Sequence, residues 1–402
     1  MKITLPPRAI LKPSIISMAA VFASFVAWLF PSFGVLRKGF ENPARLDLDA
    51  FVVLACWYLL ILLSFAIGEK LGRLLLLRKN VLTASLLHLN SNLIYYAFTV
   101  LSTIGIGMTL VRIFQLLSGQ EAIASIAAGQ ANALKDALYE DYSIGLVSLR
   151  YLVLYPGSLA LYRIIRYKSY KLINIFNVLM LGISTFLSSR LILIATILTL
   201  LFLLGFDKKV IRIKVRRLIA VASCFFLLLA ALNYSRNKDY YDRNKLSFGL
   251  AGVSEILAYL GSPFQAEIGS AVVTDQLVAG GDRTYRNYVD EEENLMTNSA
   301  FVHLHEQIGY YSWPYISLIC LFMGVVFEAL ASLGKTIFLL PCGAILYGSA
   351  ELWRLDLFHQ GTFIVWFVIG IGLPALLFGV QWLLASAASL ERHNPPISDR
   401  AT

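Results

Sequence analysis

The sequence predicts an all-α polytopic membrane protein of about ten transmembrane helices, with one large helical loop outside the bilayer. Three observations carry this. Of 402 residues, 58% are hydrophobic and only 15% are charged, whereas soluble domains carry about 25% charged residues. Apolar windows of about 20 residues, enough to cross a hydrocarbon core of about 30 Å, recur along the chain. Lys and Arg concentrate in alternate loops, as the positive-inside rule requires of a chain that crosses a bilayer repeatedly. The formal net charge of +9 is therefore read as topology rather than as a nucleic-acid footprint.

The windows fall at 14–34, 50–67, 92–116, 143–162, 172–188, 190–206, 217–234, 311–332, 336–351 and 361–386. The first follows Lys2, Arg8 and Lys12 and reads as a retained span without a cleavage pattern. The fifth and sixth come from one apolar run, Leu172 to Phe206, whose only formal charge is Arg190. A single helix over that run would be about 52 Å long, far more than a core of about 30 Å. Cutting at Ser188-Ser189-Arg190 gives two spans of minimal length joined by a tight outward hairpin. Alternating the sides puts the N-terminus, 68–81, 163–171, 207–217, Lys335 and the C-terminal tail together. That set holds nearly twice the Lys and Arg of the opposite set, 35–49, 117–142, 235–310 and 352–360, and is assigned to the cytoplasm. The organisation expected is seven spans over 1–234, a periplasmic loop over 235–310, and three spans with a cytoplasmic tail over 311–402.

Within the loop, Ser254–Val272 reads as short amphipathic helices broken at Gly261 and Pro263. The run Asp290-Glu291-Glu292-Glu293 reads as a solvated face. Ser118–Tyr142 has the pattern of an amphipathic helix on the outer surface. Cys56, Cys224, Cys320 and Cys342 show no metal or redox spacing and are expected as small core residues. There is no phosphate-loop or dinucleotide fingerprint, which disfavours nucleotide-driven chemistry. Asp47-Leu48-Asp49 matches an acid pair by letter but is read as a capping, interfacial feature. No metal or other cofactor is expected.

Charged and titratable groups on the outer side gather in four places: Arg190; Arg236; His303, His305 and Glu306; and Glu351, Arg354, Asp356 and His359 in ELWRLDLFHQ. Several arginines around one cavity suit an anionic ligand, since guanidinium stays charged and grips phosphate oxygens in pairs. A membrane enzyme that handles a lipid pyrophosphate needs that pattern, because its leaving group develops negative charge. A histidine or carboxylate nearby can accept a proton from a sugar hydroxyl. The plainer readings are that arginines at span ends snorkel to the interface and that the histidines are surface groups. Arg150 is expected to pair inside the bundle and Arg112 to snorkel.

Three stretches resemble the Wzy-like O-antigen polymerases, the repeat-unit polymerases of bacterial inner membranes. They are SSRLILIATILTLLF, LNYSRNKDYY with the later AYLGSPF, and LMTNSAFVHLHEQIGYYSWPYISLICLFMG. The resemblance covers about residues 143–332. It departs at Gln307-Ile308-Gly309, where that family has Asp-aromatic-Gly; Glu306 is adjacent. It implies a metal-independent, class C-type glycosyltransferase fold and an undecaprenyl-pyrophosphate-linked oligosaccharide as substrate. Arg190 and Arg236 match the family's outer arginines, and Arg354 joins them from topology. His305, His303 or Glu306 is then the expected base. Tyr240, Tyr241, Tyr259 and Asn298 are expected to contact glycan. The expected partners are the lipid bilayer, the lipid-linked substrate and a chain-length regulator, with no nucleic acid. An O-antigen ligase-type enzyme would share these features. A lipid-linked glycan flippase would need polar groups along the whole bundle, and Glu328 is the main mid-span exception to their absence.

Overall fold

The computed structural model describes residues 2–4, 11–29, 48–77, 91–116, 145–187, 190–206, 212–214, 247–272, 299–334 and 336–393, with isolated positions at 120, between 220 and 234, and at 245. The helices are α1 (Pro13–Leu29), α2 (Leu48–Leu77), α3 (Ser91–Leu116), α4 (Leu154–Tyr167), α5 (Leu172–Leu187), α6 (Arg190–Phe206), α7 (Phe248–Val272), α8 (Ala300–Ile308), α9 (Ser312–Ser332), α10 (Thr336–Glu351) and α11 (Gly361–His393). A 3-10 segment, Leu146–Val153, leads into α4, and a second, Leu357–His359, leads into α11.

Four stretches are long and apolar enough to cross a bilayer: Leu48–Leu75, Ser91–Leu116, Ala300–Ser332 and Gly361–Gln381. Four more apolar helices, Pro13–Leu29, Leu172–Leu187, Leu191–Phe206 and Thr336–Glu351, are shorter. The expected seventh span, 217–234, lies largely outside the described residues. The run from 172 to 206 divides where length arithmetic requires: α5 ends at Leu187 and α6 begins at Arg190.

Side chains are distributed as a lipid solvent demands. Phe22, Leu59, Val100, Leu179, Leu318 and Val368 point outward, each more than half exposed. Inside lie Ser17, Ser64, Ser102, Thr109, Ser158, Asn177, Thr196 and Thr199. In hydrocarbon, Leu gains nothing by facing another helix, whereas a hydroxyl or amide must find a bond and a small side chain lets backbones approach. The interior hydroxyls comply by bonding back onto their own helices: Thr109 to the Gly105 carbonyl at 2.7 Å and Thr196 to Ile192 at 2.7 Å. Between α3 and α5, Asn177 donates to the Tyr95 hydroxyl at 2.8 Å, and that hydroxyl donates to Asn174 at 2.9 Å.

The most extensive helix pair is α2 with α9. A Cβ at Gly68 would strike the Leu321 carbonyl, and one at Gly72 the Val325 carbonyl. From the other side, a Cβ at Gly324 would lie 2.7 Å from the Phe65 carbonyl. The Gly68–Glu–Lys–Leu–Gly72 spacing is thus a small-xxx-small seam. Beside it Arg73 donates to Glu328 at 3.2 Å, giving that buried carboxylate its partner.

The described residues are helical as expected, apart from one short ribbon in which β1 (Lys2–Thr4) pairs antiparallel with β2 (Arg212–Lys214), with Lys2 opposite Lys214. The ribbon sets residues 2–4 beside 212–214, which follow the C-terminal end of α6. Lys12 and Ser14 meet Glu69 in the C-terminal half of α2, at 3.7 and 2.9 Å. The expected breaks at Gly261 and Pro263 are absent: α7 runs unbroken through both. Pro263 offers no amide to the carbonyl one turn back, yet every residue from Gly261 to Ala271 is buried. Packing against α1 and α2 outweighs the local penalty, and Ser24 donates to the Leu260 carbonyl at 2.6 Å. The described part of 235–310 therefore docks on the spans instead of standing apart. Trp28 donates to Gln265 and Tyr58 to the fully buried Glu267. Of the four cysteines, Cys320 and Cys342 are buried as expected, while Cys56 and Cys224 are exposed.

Candidate functional site

At the end of the bundle opposite the ribbon, the start of α6 meets the link between α10 and α11. They enclose a cavity of about 130 Å³ lined by Tyr151, Leu191, Ile192, Leu355, Leu357, Gln360, Thr362 and Trp366. Its walls are fixed by polar bonds. Trp366 donates from its indole to the Tyr151 carbonyl at 2.6 Å, and Tyr155 donates to the Trp366 carbonyl at 2.7 Å. These bonds clamp the 146–153 segment and the start of α4 to α11.

Arg190 is the first residue of α6, one position before the cavity wall; its side chain lies outside the described part of the structure. Arg236, Tyr240, Tyr241 and Asn298 lie outside the described residues altogether.

Arg354, expected to face an anion, is already neutralised. Its Nε and Nη2 donate to Glu351 Oε2 at 3.0 and 2.6 Å, and its guanidinium sits 4.9 Å from the Tyr259 ring centre. Tyr259, expected against glycan, packs on that cation and edge-on to Trp353.

His305 sits at the centre of an aromatic cage. It is fully buried, with Phe301 4.2 Å and Trp57 5.4 Å away between ring centres. Nδ1 lies 2.9 Å from the Phe301 carbonyl, and Trp313 donates its indole proton to Nε2 at 3.1 Å. Those neighbours select the tautomer protonated on Nδ1 and occupy both ring nitrogens. The cage follows from the local chain: Ser299 caps α8 by accepting from the Val302 amide at 3.1 Å. Gly309, at φ 58°, then turns the chain so that Trp313 on α9 folds back over the α8 face. His303 and Glu306 are half-buried on the same helix.

The link 352–360 carries a second cluster. Asp356 is fully buried. Tyr315 donates to its Oδ2 at 3.5 Å, and the same hydroxyl lies 3.4 Å from His359 Nδ1. Among the described residues Asp356 Oδ1 has no hydrogen-bond partner. Burial raises the Asp356 pKa above the usual carboxylate value; His359, the Phe358 amide and His303 oppose that rise. His359 itself is exposed. The sequence offered Asp356 and His359 as outer-face charges, but Tyr315, in an apolar stretch forty residues away, gave no such signal.

Arg150 was expected to pair inside the bundle, and no acid among the described residues pairs with it. It is 1% exposed. Nη2 donates to the Tyr151 hydroxyl at 3.0 Å and Nη1 to Thr109 at 3.5 Å, while Nε has no partner among the described residues. The 146–153 segment lies so close to α3 that a Cβ at Gly105 would collide with the Arg150 amide.

Among the described residues, no group of three His, Cys, Asp or Glu side chains is placed to hold a metal. The apolar spans and their inverted burial define a helical, polytopic membrane protein. No known family, curated protein or solved structure matches the chain.

Proposed function

We propose that the protein is an inner-membrane glycan polymerase working at the periplasmic face. It transfers a growing glycan from undecaprenyl pyrophosphate to a sugar hydroxyl of an incoming lipid-linked repeat unit. The observation that supports this reading is a juxtaposition within the link 352–360. Leu355 and Leu357 line the cavity beside the head of α6, while Asp356 between them holds the Tyr315–His359 cluster. Acid–base groups and a pocket at an arginine-headed helix thus share one short segment.

In the reaction, the acceptor hydroxyl gives its proton to a base as its oxygen bonds to the anomeric carbon of the donor. The bond from that carbon to the phosphate oxygen breaks, and the pyrophosphate leaves with the electron pair. His359 is the exposed imidazole suited to take the proton. Tyr315 and Asp356 are its positioning residues. The caged His305 is a packing residue in this scheme, and Arg354 a structural one. Arg190 opposes the charge that develops on the leaving group.

The test is reconstitution in vesicles supplied only with lipid-linked repeat units. A ladder of polymer is expected from the wild-type protein, with no ladder from Arg190→Ala or His359→Ala although both remain in the membrane. Ladders of normal length from both variants would overturn the assignment. Product formed only when lipid A-core is added would instead identify a ligase-type enzyme.

A further inference from the structure

We propose that Glu267 is a proton-operated latch: its neutral carboxyl holds α7 against α1, α2 and the head of α8, and its ionisation lets α7 come away and uncovers the link 352–360. The latch does not depend on the chemistry proposed above.

The first observation is where the acid sits. Every residue from Gly261 to Ala271 is buried, and Glu267 is 1% exposed. On the α1 side, Ser24 bonds the Leu260 carbonyl, Trp28 bonds Gln265, and Phe264 packs edge-on to Phe25 at 5.2 Å. On the α2 side, Tyr58 donates to Glu267. The Ser299 hydroxyl, which caps α8, bonds the same carboxyl. One side chain thus joins α7 to two neighbouring elements at the heart of its buried half.

The second is the want of a cation. α1, α7 and α8 contain no Lys or Arg, and those of α2, Lys70 and Arg73, lie about three turns or more beyond Tyr58. α1 has no titratable side chain at all. α2 brings Asp49, Cys56 and Tyr58 in its N-terminal half, and α8 brings His303, His305 and Glu306. Of these, Tyr58 bonds Glu267, while His305 has both nitrogens engaged in its cage. The other acid of α7, Glu255, stands about three turns back. A carboxylate buried without a cation is costly, so the junction favours the neutral acid. Burial pushes the Glu267 pKa up to about 8, against the opposing bonds from Tyr58 and Ser299.

The third is the reach of α7. Before the anchored half, Tyr259 lies 4.9 Å from the Arg354 guanidinium and stands edge-on to Trp353. Those two residues open the link that continues to Asp356 and His359. α7 therefore covers the start of the link at one end and is anchored by Glu267 at the other.

A carboxyl whose pKa is raised by docking holds most firmly below its undocked value of about 4.3. That contribution is lost as pH rises through the docked value of about 8. Between the two, undocking releases one proton, so each pH unit favours the undocked state about tenfold.

The test is hydrogen exchange of amides 264–271 in the full-length protein in nanodiscs, from pH 5 to pH 9, with intrinsic base catalysis divided out. Wild-type opening is expected to grow about tenfold per pH unit and to level off above about pH 8. Glu267→Gln, neutral at every pH, should give a flat profile. Tyr58→Phe, which removes a proton donor to the carboxylate, should move the plateau to higher pH. Amides 353–355 should open with the same profile as α7. If Glu267→Gln fails to accumulate, the wild-type profile and Tyr58→Phe decide. A flat wild-type profile, an equal slope in Glu267→Gln, or a link that does not follow α7 overturns the latch. A chain that shows the expected profile but makes no polymer upholds the latch and rejects the polymerase alone.

Discussion

His305 and Asp356 show how burial sorts residues that look alike in sequence. Both lie in polar stretches beside apolar spans, and both are fully buried. His305 has its nitrogens engaged inside an aromatic cage, so its removal should act through packing. His305→Ala is expected to cost about 3–5 kcal/mol, as for emptying an aromatic core position, seen as a lower melting temperature in detergent. Asp356 should behave in the opposite way. Its pKa is raised by burial, so folding favours the protonated form. The stability tied to that preference is complete below the unfolded-state pKa of about 3.9 and is lost as pH rises through the folded-state value. Asp356→Asn should therefore match the wild-type melting temperature at acid pH and equal or exceed it at pH 8, while losing polymer synthesis. A lower melting temperature at pH 8 would contradict this sign. The sequence made these residues visible as polar groups near span ends. It could not tell cage from cluster, because the partners Trp57, Trp313 and Tyr315 come from apolar segments whose facing depends on how helices rotate.

Elements were legible where length alone decides. The hairpin between α5 and α6 follows from the rise per residue and the bilayer thickness, with no contact information needed. The α2–α9 seam was not seen, although Gly68 and Gly72 stand in plain view. Small residues four apart signal a close crossing only once a partner is known, and Gly324 lies more than 250 positions away. Gly72→Val should force the helices apart. A loss of about 1–3 kcal/mol, typical of overpacking, is expected in detergent unfolding, while Gly107→Val, whose site is open, should be nearly neutral. The unbroken α7 was hidden for a related reason. Gly and Pro rules describe an isolated chain, whereas α7 is held by α1 and α2 over its whole C-terminal half.

At the scale of the molecule, the bundle has two chemically different ends. One joins basic segments: the ribbon pairs 2–4 with 212–214, and Arg163 bonds Asn92 at 2.9 Å. The other carries the cavity, the Asp356 cluster and the head of α6. Membrane-impermeant thiol reagents should label cysteines placed at 208 and 169 from one side only, and cysteines at 188 and 360 from the opposite side. Labelling of 188 and 208 from the same side would break the expected topology. Hydropathy and the loop charges made this layout readable, since both follow from transfer energies that act residue by residue. Which buried charges would be paired was not readable: the partners of Glu69 and Glu328 lie on other elements, and no described carboxylate pairs with Arg150.

The small ribbon has a consequence for biosynthesis. Strand β1 leaves the ribosome about 200 residues before β2. At about 5–20 residues per second, it waits roughly 10–40 s for its partner. During that interval the helices between them must insert in an order that leaves both strands on one side. The ribbon can then close only on a chain threaded correctly, acting as a late latch on the order of insertion. Deleting residues 2–4 should leave insertion of each span intact but allow more misassembled protein to reach the membrane proteases, read in pulse-chase as a shorter half-life of the newly made chain.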